Sequence, residues 1–518
     1  MSTATYTQQS KNKSRDLILK EAVISLTKNR KKSRILNESY LRKLWFYCKN
    51  IITLHTNHQN MEDHYFDDWI SFANISYGKR RPQELKVAIL CGPEPKNDVE
   101  ILLGLGIRIE NIYAFESESA IYSEALISIK NTYPTLKIFK GKLESIIPLL
   151  ALKFDIIYLD YTKSLLSKET VISLFSIFDS QLLADLGVII VNTCLPDKTD
   201  ENVKTLSEFF YHQYSYEDFY FHTKNDKEKY SQFMEGFSAN GYYFSEDIEP
   251  IVRKNFSNAY SAFATQFPIY YASFIVPILK VLQNQSLAKK LFSDKIESKS
   301  FFIDLESKYY VDLINDDMES SNFGFYKFLK NNSQIWGDFF EKKERGVGRI
   351  DAVLCKYFLC NIEQISKDLL SDLFISELPL MYNNVVGKID RFKPFLFCDA
   401  PLPHLWTELA INQFGYPYHF NTENHTRYQY VAKTREMYLD VFTFDKCRPL
   451  YDWLPLLDYY KDDLNVIERQ IVTRMCLDII EKNCFNITSN LYHASALIGY
   501  NEENWSKLKE LIKRKNIQ

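Results

Sequence analysis

The stretch Leu85-LKVAILCGPEPKNDVEILLGLGIRIENIYAFE-Glu116 decides the fold. Val87 to Cys91 is a short apolar run that stops at Gly92. A polar turn, Gly92 to Asp98, follows, and then an amphipathic run, Val99 to Leu105. A second apolar run, Ile112 to Phe115, ends in Glu116. The order is strand, ligand-type loop, helix, then a strand with an acidic tip. Nucleotide-binding α/β domains open this way.

Working outward, the alternation continues. Strands are expected at Lys86–Cys91, Asn111–Phe115, Leu136–Phe139, Phe154–Leu159 and Val188–Asn192. Helices are expected between them, at Asp98–Leu105, Ser119–Ile129, Leu143–Leu150 and Lys168–Phe178, with Gly187 read as a helix end. Short apolar strands joined by helical crossovers imply a mostly parallel sheet covered on both faces. Ligands of such sheets bind at the carboxyl ends of the strands. That rule selects Gly92–Asp98, Glu116, Gly141–Lys142, Asp160–Thr162 and Asn192–Cys194.

Over about one hundred and ten residues this order resembles the class I S-adenosylmethionine-dependent methyltransferases, a Rossmann-like α/β fold. Four features carry the resemblance. Gly92 follows the first strand and Glu116 ends the second. Gly141-Lys142-Leu143 follows the third, and Asp160 ends the fourth within DIIYLDYT. The resemblance implies S-adenosylmethionine as cofactor, held by Gly92, Glu94, Glu116, Gly141 and Lys142. Asp160 and Tyr161 would then face the methyl acceptor. The loop departs from the family's acid-x-Gly-x-Gly-x-Gly form: Leu90 stands at the acid, and Glu94 and Lys96 at the later glycines. Glu94 or Asp98 could take the acidic role, although the place of Asp98 suits a helix cap. A dehydrogenase GxGxxG would need glycines where Gly92, Glu94 and Asn97 stand. DIIYLDYT also lacks the Pro-Pro of amino-group DNA methyltransferases.

The rest of the chain frames this segment. Residues 1–14 are polar and read as a disordered tail, and 15–84 as a basic helical region of about three helices. The methyltransferase-like domain spans 85–200. A mainly helical, aromatic-rich region follows at 201–385, and an α+β domain at 386–518, with strands of a small sheet and a helical end. The net charge is -3, yet residues 1–50 hold twelve Lys+Arg against three Asp+Glu, a local +9 that leaves -12 elsewhere. Arg30, Lys31, Lys32 and Arg34, with Lys79, Arg80 and Arg81, are candidate phosphate contacts for a nucleic acid. A solvated turn is the plainer reading of such a run.

Nine scattered cysteines without a CxxC pair exclude a zinc ribbon and a secreted disulfide framework. His404, His419 and His425 lack metal-site spacing, so no metal is expected. The start of the chain has no apolar h-region, and the apolar run Phe267–Leu282 is interrupted by Pro268, Pro277 and Lys280. A cytoplasmic protein with no membrane partner is therefore expected. Two functions stay open. One is a methyltransferase acting on a large acceptor. The other is an inactive methyltransferase-like scaffold that binds nucleic acid or protein, as in bacterial defence or mobile-element systems.

Overall fold

A computed structural model of the 518-residue chain describes residues 9–55, 63–209, 245–297, 299–309, 325–333, 336–337, 365–372, 415, 417–421, 424–432, 434–452 and 512–517. Five parallel strands form where the apolar runs stand: β1 (Val87–Leu90), β2 (Ile112–Glu116), β3 (Lys137–Lys140), β4 (Phe154–Asp160) and β5 (Leu183–Cys194). They lie in the order β3-β2-β1-β4-β5. The chain builds outward from β1 to β3, then crosses back to place β4 on the other side of β1. The gap between the ends of β1 and β4 is therefore the switch point where such sheets take ligands. Gly187 is not a helix end but lies within β5, opposite Phe444.

The strands near residue 430 form, but not as a sheet of their own. β7 (Thr426–Ala432) and β8 (Arg435–Asp445) make an antiparallel hairpin. β8 pairs antiparallel with β5, from Leu186↔Asp445 to Cys194↔Met437. The short β6 (His419–Phe420) also pairs with β8, and β9 (Lys515–Asn516) adds in parallel to β7. The result is one nine-stranded sheet. Burial gives the reason: Met437 to Asp445 is buried at every position, which only a strand covered on both faces achieves. Residues 512–517, expected to be helical, are extended along β7. Residues 386–414 of the expected α+β domain, His404 among them, lie outside the described residues.

Helices cover both faces. Before the sheet come α1 (Gln9–Leu26), the single turn α2 (Arg30–Ser33), α3 (Glu38–His55) and α4 (His64–Ser76). Between the strands lie α5 (Lys96–Gly104), α6 (Ser119–Ile129), α7 (Leu143–Ile146) and α8 (Lys168–Asp179). α1 lies against β4, β5, β7, β8 and α5, and buries Ile18, Leu19, Ala22, Val23 and Leu26. It begins at Gln9, so residues 9–14 are helical rather than a loose tail. Their polar sequence hides this because charge pairing, not an apolar stripe, fixes them.

The opposite face carries α8 and α9 (Phe256–Tyr270), followed by a π-helical turn at Tyr271–Ile275 and α10 (Val276–Gln283). Alternation along β5 shows the two sides: Asn192 faces α1, whereas the Thr193 hydroxyl accepts from Tyr260 of α9 at 3.0 Å. The run Phe256–Gln283 is long and apolar enough to cross a membrane by length and composition, and its most apolar stretch is buried inside the protein. Phe175 stacks on Tyr271 at 4.1 Å between ring centroids, which seats this run on α8.

Candidate active site at the carboxyl edge of the sheet

The loop after β1 remains tied to the sheet. Cys91 N donates to Phe115 O at 3.2 Å, so the chain leaves β1 alongside the end of β2. Gly92 then turns with φ +57°, and a Cβ there would meet nothing within 4 Å. The turn thus presents bare backbone to open space, which a close ligand approach requires. Glu94 is not loose: Asn97 Nδ2 donates to its Oε2 at 3.0 Å. Pro95, not Asp98, stands at the N-cap of α5. Asp98 is buried in the first turn of α5, with Arg15 Nε of α1 at 3.0 Å from Oδ1. Burial raises this carboxyl to about 6, against the pull of Arg15.

The next two strand ends close around Glu116. Glu118 N donates to Glu116 Oε1 at 2.8 Å, which fixes the carboxylate. Gly141 N donates to Glu116 O at 2.8 Å, bringing the loop after β3 against the tip of β2. Gly141 sits at φ +142°, and a Cβ there would lie 2.9 Å from Ile146 Cδ1. Glycine is therefore needed at this position, while Lys142 beside it is exposed. The Cys91 thiol sits among these acids: burial, then Glu116 and Asp98, push it up to about 12. It is an inert neutral thiol.

Asp160 is held on both carboxylate oxygens. Asn192 Nδ2 donates to Oδ1 at 2.7 Å, and to the Tyr430 hydroxyl at 2.8 Å. Lys11 Nζ lies 3.1 Å from Oδ2, with Arg15 Nη2 at 3.8 Å. Two acids, Asp98 and Asp160, thus meet two cations, Lys11 and Arg15, beneath the first turns of α1. Tyr161 does not join them. Its hydroxyl is buried near Ser173 and Glu144, and burial raises it above the ordinary phenol range. The structure therefore brings Gly92, Glu94, Glu116, Gly141, Lys142 and Asp160 to one edge and takes Tyr161 away from it.

No family model matches the chain, and no curated protein does. Among solved structures, the chain is similar to a Staphylococcus aureus protein described as a caffeoyl-CoA O-methyltransferase. The match has 16% identity, covers 38% of this chain and 92% of that chain, and has a TM-score of 0.17. A likeness of that size assigns neither a residue nor an activity.

Four groups of the cluster escape a reading of the sequence: Lys11, Arg15, Tyr430 and the amide role of Asn192. Lys11 and Arg15 lie in polar sequence with no motif. Tyr430 is 238 residues from Asn192 and reaches it only because β8 seats the hairpin beside β5. His419 and His425 serve the core. His419 Nε2 lies 2.8 Å from the Tyr451 hydroxyl, and burial lowers its basicity to about 3. His425 Nε2 lies 3.3 Å from Asp440 Oδ1.

The basic residues divide in the same way. Arg30 is buried and donates through Nε to Gly78 O at 2.8 Å, so it is not a surface contact. Arg34 lies over the Tyr77 ring at 5.7 Å, and Arg81 pairs with Glu84 at 3.0 Å. Lys31, Lys32, Lys79 and Arg80 are exposed.

Proposed function

We propose that the carboxyl edge binds S-adenosylmethionine and that the chain is a divergent class I methyltransferase. The observation that supports this most is the position of Glu116. Its carboxylate stands at the tip of β2, fixed by Glu118 N and flanked by the Gly141 turn, one strand from the open turn at Gly92. An acid so placed accepts from vicinal ribose hydroxyls. The donor set also suits an amino-acid zwitterion. Asp98 can take an ammonium, and Arg15 a carboxylate, by exchanging partners within a four-group cluster that is neutral as a set.

The cofactor, when bound, supplies an electrophilic methyl group. The chain's own task is to orient the acceptor and take its proton. Asp160 suits that task once Lys11 is displaced, with Asn192 holding the other carboxylate oxygen in place. Titration calorimetry with S-adenosylmethionine tests the reading. Binding is expected, and Glu116→Ala should weaken it at least about tenfold, or ~1.4 kcal/mol. A folded protein that takes up no ligand at about 1 mM would exclude affinities worth even ~4 kcal/mol and end the proposal.

One observation favours a binding scaffold instead: Asp160 is already engaged by Lys11 and Asn192. Lys11→Ala separates the two. If Asp160 is an acceptor-side group awaiting release, ligand binding persists in that variant and methyl transfer to a supplied acceptor rises. A scaffold shows no transfer in either form.

A further inference from the structure

The two basic clusters, about fifty residues apart, become one surface. Arg30 Nε donates to Gly78 O at 2.8 Å, and Arg30 Nη1 to Leu26 O at 3.5 Å, tying the α1–α2 turn to the chain leaving α4. The turn is locked from its other side too. Asn421 Nδ2 donates to Lys32 O at 3.0 Å and Ser33 O at 2.8 Å, and Asn424 Nδ2 to Ser33 Oγ at 2.6 Å. On this frame Lys28, Lys31, Lys32, Lys79 and Arg80 are all exposed. None of the five forms an ion pair with a described residue.

The nearby acids face inward. Asp155 accepts from Lys86 N at 2.9 Å. Asp445 accepts from Ile35 N at 2.9 Å, Tyr77 Oη at 2.8 Å and Cys447 N at 2.8 Å. Both are buried, and Glu84 is taken by Arg81. Five exposed cations thus stand without a salt-bridge partner among the described residues, on a chain whose net charge is -3, although Arg80 also acts through space on Asp155 and Glu84.

We propose that Lys28, Lys31, Lys32, Lys79 and Arg80 bind the phosphate backbone of a nucleic acid, with Arg30 as the residue that positions them. Point charges carried on two anchored turns suit a polymer of regularly spaced phosphates. A membrane surface would call for an apolar face beside the charges, and the turns offer one exposed apolar side chain, Ile75. The surface lies at the amino end of the parallel strands, next to the starts of β1 and β4. Asp160 lies at the other end of β4, about 20 Å away at ~3.3 Å per residue. The surface is therefore an anchor and not the acceptor site, and it does not depend on the function proposed above.

Fluorescence anisotropy of labelled random-sequence 20-mers, duplex DNA and single-stranded RNA, between 50 and 200 mM salt, tests this. Lys31→Ala/Lys32→Ala/Lys79→Ala/Arg80→Ala removes four exposed cations and should leave the circular dichroism unchanged. Its affinity should fall at least about tenfold, and the slope of log affinity against log salt should flatten by about 3.6 for duplex or about 2.8 for single strands. Lys31→Arg/Lys32→Arg/Lys79→Arg should retain binding. The inference is overturned by any of four results: no wild-type binding at the lowest salt, an unaltered quadruple variant, an equal loss in Lys168→Ala/Lys198→Ala/Lys204→Ala/Lys295→Ala, or binding only to vesicles of anionic phospholipid.

Discussion

Arg15 shows how one residue can join two parts of the protein that share no sequence pattern. Its guanidinium is buried between Asp98 of α5 and Asp160 of β4. In Arg15→Met the Asp98 carboxylate keeps its desolvation cost and loses its nearest cation. Breaking a buried pair in this way costs about 3–5 kcal/mol at neutral pH. The pH dependence has a definite sign. The Asp98 carboxyl is raised to about 6 by burial, so the folded protein holds its proton more tightly than the unfolded chain. Its contribution to stability is full below about 4, the unfolded value, and is lost as pH rises through about 6. Without Arg15 the carboxyl rises further, so the variant should be closest to wild type at acid pH. Urea unfolding at pH 7.5 and 5.0 checks this. A deficit equal at both would assign the loss to packing alone.

At the scale of elements, what the sequence revealed depended on local pattern. β1 to β5 are legible because each contains a short apolar run bounded by turns; β1 to β4 form within one residue of their expected ends, whereas β5 starts five residues earlier than expected and takes in Gly187. Glu116 and Asp160 were legible because a strand end has a defined place in such a sheet. The first turns of α1 were not, because Gln9 to Asp16 carry no apolar stripe and are held by Asp98 and Asp160. β8 is legible as a strand but its partner is not, since nothing local tells Val441 that Ile190 lies opposite. The extended end of the chain has the same kind of cause. Arg514 Nη2 lies 2.7 Å from Asp440 Oδ2, and Arg514 Nη1 donates to Tyr428 O at 3.1 Å and Leu439 O at 3.2 Å.

This strap makes a prediction of its own. Burial alone would raise the Asp440 carboxyl, yet Arg514, His425 and Arg427 together hold it well below the usual carboxylate range. Asp440→Asn leaves two buried guanidinium groups short of an anion and should cost about 3–5 kcal/mol. Here the folded value is depressed. The stabilisation is therefore present above the unfolded value, about 4, and is lost as pH falls below it. The gap between wild type and Asp440→Asn should be constant from pH 8 to 5 and narrow at lower pH, by denaturant unfolding. A gap that widens on acidification would show that Asp440 is not the charged partner of Arg514.

For the whole molecule, the decisive fact is that the sheet is completed from far along the chain. The first 209 residues contain all five parallel strands and every group at the carboxyl edge except Tyr430. On sequence grounds they would pass for a self-sufficient domain. The structure argues otherwise. β5 is paired along Leu186 to Cys194 with β8, and α1 rests partly on β7 and β8. A fragment ending at residue 209 would expose the backbone groups and apolar side chains of that edge, a ready template for pairing with other chains. It would also leave the Asn192 amide without the Tyr430 hydroxyl, and Glu21 of α1 without Thr426 and Tyr428. The fragment is expected to associate in size-exclusion chromatography and to unfold without a cooperative transition. Co-expression with residues 210–518 should restore a soluble one-to-one complex, because β8 is then available to cover β5. A monomeric fragment with a sharp transition would show that the hairpin is an accessory and that the carboxyl-edge site is built by the first 209 residues alone.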